Sequence, residues 1–250
     1  VTPFEERIKR FEAARAQARK AIRDAEALAL AAAAAHTGSS RIPKLQNAIV
    51  EVKKQLATAM ADKKRLSRHG QDGDYPEKSS LVAAQQRLQE AFVGEVKAAV
   101  AKLETACNDI RWNEIHSRAR DGTAEADAVL ARTRAAAERA ASLPIETLAR
   151  KLEKVSAALQ RDREAAKTAV AGTIADQKRL EATHAKMLNR ARPPWESLPP
   201  HPADPAVMVR ALAVQSAAVA DLKQQLFNLY EIIESIEDKA RAEVSRQRSG

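Results

Sequence analysis

The side chains able to do covalent or metal chemistry in this chain are few and scattered. The single cysteine, Cys107, follows Ala106 on the apolar side of a helical run, where a lone thiol is ordinarily a small core residue. A nucleophilic role would need a neighbouring base, and the spacing supplies none. The five histidines are His36, His69, His116, His184 and His201. No two stand close enough in sequence to offer paired ligands from one helix face. Neither the glycine-rich phosphate-cradling patterns nor the G-x-S-x-G turn occurs, and seven glycines leave little material for them. Asp72 and Asp74 stand beside Gly73, without the alternating ligands and closing glutamate of a calcium loop. Carboxylates are abundant, but on solvated helix faces they make ion pairs rather than acid–base sites. The expectation is no catalytic, cofactor-binding or metal-binding residue, and a chain that is not an enzyme.

What remains is charge and a few aromatics. Lys and Arg number 42 against 33 Asp and Glu, a net charge of +9. That balance suits acidic partners, although the interleaving of signs also describes an ordinary solvated surface. Three clusters stand out: Arg7 to Arg23, including Arg15, Arg19 and Lys20; Lys63, Lys64, Arg65, Arg68 and His69; and Arg241, Arg246 and Arg248. Cations at a helix C-terminus complement its dipole, which is the plainer reading of the last two. Trp112 reads equally as a core anchor or an exposed contact. Trp195 lies in Pro193–Pro202, which reads as a stiff connector more than as a docking motif for a peptide-binding module. The residues nominated for partner contact are Arg15, Arg19, Lys20, Lys63, Lys64, Arg65, Arg68, Trp112 and Trp195. Sequence-specific nucleic-acid reading is not expected, because few aromatics are available for stacking and no DNA-reading motif is present.

The elements that must position these residues are helices. Hydrophobic residues make up 45% of the chain but aromatics only 3%, so much of the apolar content is alanine and the helices must approach closely. The clearest stripe is Met208, Leu212, Gln215, Val219, Leu222, Leu226, Leu229, Ile233, Ile236 and Ala240. Its steps alternate between four and three, the mark of a helix packed along its whole length. At ~1.5 Å per residue it is on the order of 65 Å long. Gln215 is its one polar member, either fixing register or sitting at a bundle edge.

Prolines and glycines punctuate the rest. Helix one runs to about His36. Helix two carries Ile42, Leu45, Ile49, Val52, Leu56 and Ala59, with Lys63 breaking the seam before Leu66. Helix three, to about Arg120, buries Leu81, Leu88, Phe92, Val96, Ala99, Leu103, Ala106 and Ile110. Gly122 ends it, and a short helix four follows. Helix five starts after Pro144, slips near Asp162 through Ala166, Val170 and Ile174 as in a stutter, and ends near Arg192. No alternating strand pattern occurs.

The fold expected is all-α: an elongated antiparallel bundle of coiled-coil hairpins, about six helices and no sheet. Residues 1–122 form an N-terminal three-helix segment, 123–143 a short alanine-rich connecting helix, and 144–250 a long hairpin with a proline-rich turn at 193–205. The absence of a starting methionine suggests an excised fragment. The lone cysteine suggests an intracellular, cytoplasmic setting. The function expected is a non-enzymatic scaffold or assembly subunit that binds other proteins through helical faces, with homo-oligomerisation open. The alternative is a basic rod on an acidic surface, either an anionic membrane bound in a BAR-like manner or a cytoskeletal polymer such as microtubules. Heptads and alanine are common to many unrelated helical proteins and single out no family.

Overall fold

The computed structural model describes residues 3–34, 41–71, 79–188 and 205–249. Six helices account for nearly all of them: α1 (Pro3–Ala33), α2 (Ile42–Gln71), α3 (Ser79–Ala141), α4 (Ile145–Arg150), α5 (Leu152–Leu188) and α6 (Pro205–Ser249). No strand occurs among the described residues. The protein is an all-α helical bundle. Proline opens α1 and α6 and stands second in α2, where a missing N–H costs nothing. The chain divides into two compact units, whose described residues are 3–114 in the first and 115–188 with 205–249 in the second.

In the first unit α1, α2 and the early part of α3 share one core. Ala18, Ile22, Ala25 and Ala29 meet Leu45, Ile49, Val52 and Leu56, with Phe92, Val96, Val100 and Leu103 from α3. Alanine on α1 lets the helices come close while α2 supplies the bulk. Ion pairs cross from α3 to its neighbours. Arg19 grips Glu95 with two bonds of 3.0 and 2.9 Å, and its guanidinium lies 5.6 Å from the Phe92 ring centre. Lys102 pairs with Glu26 at 3.0 Å and Lys63 with Glu90 at 2.6 Å, and Lys53 pairs with Glu104. The pairings run in the same sense for α1 and α3 and in opposite senses for α2 and α3, an up–down–up bundle.

The second unit repeats the arrangement with the late part of α3, α5 and α6, and α4 packed on α5 and α6. Ala126, Leu130 and Ala137 meet Leu159, Ala166 and Val170, with Leu222, Leu229 and Ile233 from α6. Here the links between helices are mostly buried hydrogen bonds. Gln215 Nε2 donates to Ala119 O at 3.1 Å and to Thr123 Oγ1 at 2.7 Å. It is therefore an interior tie between α6 and α3 rather than a residue at a bundle edge. Ser156 Oγ and Gln160 Nε2 donate to Glu237 Oε1 at 2.6 and 2.9 Å. Burial works against ionisation of Glu237, yet these donors together with Arg241 and Arg163 hold its carboxyl below the usual range.

Four expectations change. The break at Gly122 is absent: residues 123–141 are no separate connecting helix but part of α3. One interior glycine costs about 1 kcal/mol, which burial of Ala119, Ala126 and Leu130 on either side outweighs. Helix five is divided instead at Lys151, whose N–H bonds both Thr147 O and Leu148 O at 3.2 Å. The stutter near Asp162 is absent too. Leu159, Ala166, Thr173, Leu180 and Met187 are all buried at steps of seven, and the seam was hidden because Thr173 is polar. Leu81 and Leu88 are each 52% exposed, while Val82 and Gln89 face inward one position on. Gln89 Nε2 donates to Ala59 O at 3.0 Å, and that bond lets a polar side chain displace the neighbouring leucine from the core.

Candidate functional site

Four cations of the basic clusters in the first unit, Arg15, Arg19, Lys63 and Arg65, are committed within the chain. Arg15 is buried, its guanidinium donating to Phe11 O at 3.3 Å and Gln85 Oε1 at 2.9 Å. Arg19 and Lys63 are held by carboxylates of α3, one on each side of it. Glu95 and Glu90 both ionise more easily than usual, chiefly through the hydrogen bonds from Arg19 and Lys63 respectively. Arg65 turns back to Asp62 at 3.3 Å. Burial nonetheless raises the Asp62 carboxyl above its ordinary range, against the pull of Arg65. Lys20, Lys64 and Arg68 are left exposed. Trp112 is only 5% exposed, so it is an interior residue and not a partner contact. Trp195 lies outside the described residues. Cys107 is buried in the core of the first unit. Among the described residues no group of His, Cys, Asp and Glu is arranged to hold a metal ion, and no helix is long and apolar enough to cross a membrane.

The uncovered apolar surface of the second unit lies on α6. Its inner stripe from Met208 to Ala240 faces inward as the heptads require, with Leu212 and Leu226 half-buried and the rest buried. A second stripe points outward: Val209, Ala213, Ser216 and Ala220 recur at steps of four and three, and Phe227 follows seven residues on, beyond the exposed Lys223, all of them exposed. Phe227 is 57% exposed, and Val207 and Val214 flank the stripe at 52% and 71%. No charged residue occurs from Ala211 to Ala220. The stripe continues into Glu231, Glu234 and Asp238, also exposed.

Between α3 and α5 runs an open groove of about 880 Å³. Its lining includes the small residues Ala135, Ala136, Ala165 and Ser142, with Arg132 and Arg139 on the α3 side. Each arginine bonds a backbone carbonyl of its own helix, Ala128 O at 3.3 Å and Ala135 O at 3.1 Å, and neither forms an ion pair. Glu138 on the same wall is taken by Arg134 at 3.3 Å. Sequence reasoning did not single out this groove or the outer α6 stripe. The stripe was readable as a second 3–4 recurrence. The groove was not, because its two walls come from different helices.

No family model, no curated protein and no solved structure matches this chain.

Proposed function

We propose that this chain is a non-catalytic helical scaffold, an assembly subunit that binds other proteins through its exposed helical faces. The observation that carries this reading is the outer α6 stripe. Exposed apolar residues at heptad spacing are the recognition pattern of a helix awaiting a helical neighbour. The lone thiol fits an intracellular, cytoplasmic setting. A second reading, a basic surface for anionic membranes or microtubules, draws on Lys20, Lys64 and Arg68 and on the net charge of +9. Arg19, Lys63 and Arg65 are already paired with carboxylates of the same chain, which subtracts from the second reading.

Affinity capture from a cell extract separates the two. Under the scaffold reading, partners are retained at about 0.5 M salt, where exposed charges are screened, and are lost with Val209→Glu/Phe227→Glu. Capture that survives this variant but is stripped by salt, together with co-sedimentation on anionic vesicles or microtubules at low salt, would favour the basic surface and defeat the scaffold.

A further inference from the structure

We infer that the second unit binds a second copy of itself, with the outer α6 stripe of one chain lying in the α3/α5 groove of the next. This deepens the scaffold reading, and rests on it, by naming one occupant.

Charge complementarity carries the argument. The groove presents Arg132 and Arg139 seven residues apart, about 10.5 Å along the helix, with no carboxylate partner. The exposed stripe of α6 presents Glu231 and Asp238 at the same interval, with Glu234 between them. Among the described residues Glu231 and Glu234 have no ion-pair partner, and Asp238 has only a 3.7 Å contact to Arg241. Just before these carboxylates stands the exposed Phe227, one turn from Glu231. Asp162 is the one groove carboxylate not held by a cation, and the exposed Arg161 precedes it. The exchange would cover unpaired charge of both signs and uncharged surface on both sides, which an arbitrary acidic peptide would do only for the arginines.

The two surfaces are different patches: the groove is lined by α3 and α5, and the stripe belongs to α6. A contact between unlike patches is heterologous. Each bound copy still offers a free groove and a free stripe, so association continues into a ring or an open chain rather than stopping at a dimer.

Sedimentation velocity on the whole 250-residue chain over a concentration series tests this. The wild type is expected to associate as concentration rises; salt raised from about 50 to about 500 mM should weaken this but not abolish it, because the apolar part of the α6 contact is not screened. Arg132→Glu/Arg139→Glu and Glu231→Lys/Glu234→Lys should each weaken association about tenfold or more. An equimolar mixture of the two variants should associate again, because the reversed groove of one faces the reversed stripe of the other. All four positions are exposed, and circular dichroism would establish that the variants stay helical. A wild type that remains monomeric throughout, variants that associate like the wild type, or a mixture that fails to recover would each overturn the inference. A monomeric wild type that still captures Phe227-dependent partners would leave the scaffold reading intact. Loss of both would remove the two together.

Discussion

The two three-helix units have the same topology and are stitched by different chemistry. In the first, α3 is tied to its neighbours chiefly by ion pairs: Arg19–Glu95, Lys102–Glu26 and Lys63–Glu90 near the surface, and Lys53 on the buried Glu104. In the second, one comparable pair among the described residues, Arg118–Asp176 at 3.4 Å, joins α3 to α5. The stitching there is by Gln215 and Glu237, both buried. An exposed pair gains little over water and can be remade in several geometries. A buried hydrogen-bonded group is costly to leave unsatisfied and so specifies one register. Most cross-links of the first unit are of the adaptable kind, with buried Gln89 as the exception, and those of the second are mostly of the fixed kind.

The buried carboxylates give the largest test of that difference. Glu237→Ala removes the acceptor shared by Ser156 and Gln160, and should lower the stability of the second unit by about 2–3 kcal/mol. Hydrogen exchange of α5 and α6 amides would read it out. The folded pKa of Glu237 is depressed, so its contribution is complete above the ordinary carboxylate pKa and is lost as pH falls through the depressed value. Asp62 has the opposite sign. Its raised pKa means that the charged form costs stability at neutral pH, a cost that fades as pH falls through that raised value. Asp62→Asn should stabilise the first unit at pH 7, and the advantage should shrink on acidification. Equal losses in both variants would erase the distinction.

The two core glutamines sharpen it further. Gln215 donates twice to α3, so Gln215→Leu should cost roughly 1 kcal/mol. Gln89 makes one such bond, and its Oε1 is buried without a hydrogen-bond partner. Gln89→Leu should then be neutral or stabilising by up to about 1 kcal/mol, because the orphaned acceptor goes with the lost bond. Thermal melts of both variants decide whether the glutamines differ in this order.

A smaller effect concerns glycine on α3. An added Cβ at Gly94 meets nothing within 4 Å, whereas at Gly122 it lies 3.5 Å from Asp176 Oδ2, an ordinary contact. Both changes to alanine should stabilise by about 0.5–1 kcal/mol, with Gly94→Ala the larger gain. A melting temperature that falls for Gly94→Ala would contradict this. The smallest expected effect is from salt. Raising ionic strength to about 1 M should loosen first-unit amides near Glu90 and Glu95 by a few tenths of a kcal/mol per pair, and leave those around Gln215 unchanged.

The helical class and the α6 seam were legible in the chain because a three-and-four recurrence of apolar residues is a local geometric demand. Met208 to Ala240 lies inward for that reason alone. The errors fell where a polar or missing side chain occupied a core position. Gly122 looked like a helix end, Thr173 hid the α5 seam, and Gln89 hid the true register behind Leu88. Whether such a residue ends an element depends on partners from other helices: Ala59 O for Gln89, and the buried Ala119–Ala126–Leu130 face around Gly122. The same holds for charge. Sequence counted Arg15, Arg19 and Lys63 as available, and only the packed structure set Gln85, Glu95 and Glu90 against them. Periodicity is a property of one helix and can be read from one segment. Neutralisation, grooves and uncovered faces are properties of two or three helices together, and they exist only once the chain has folded.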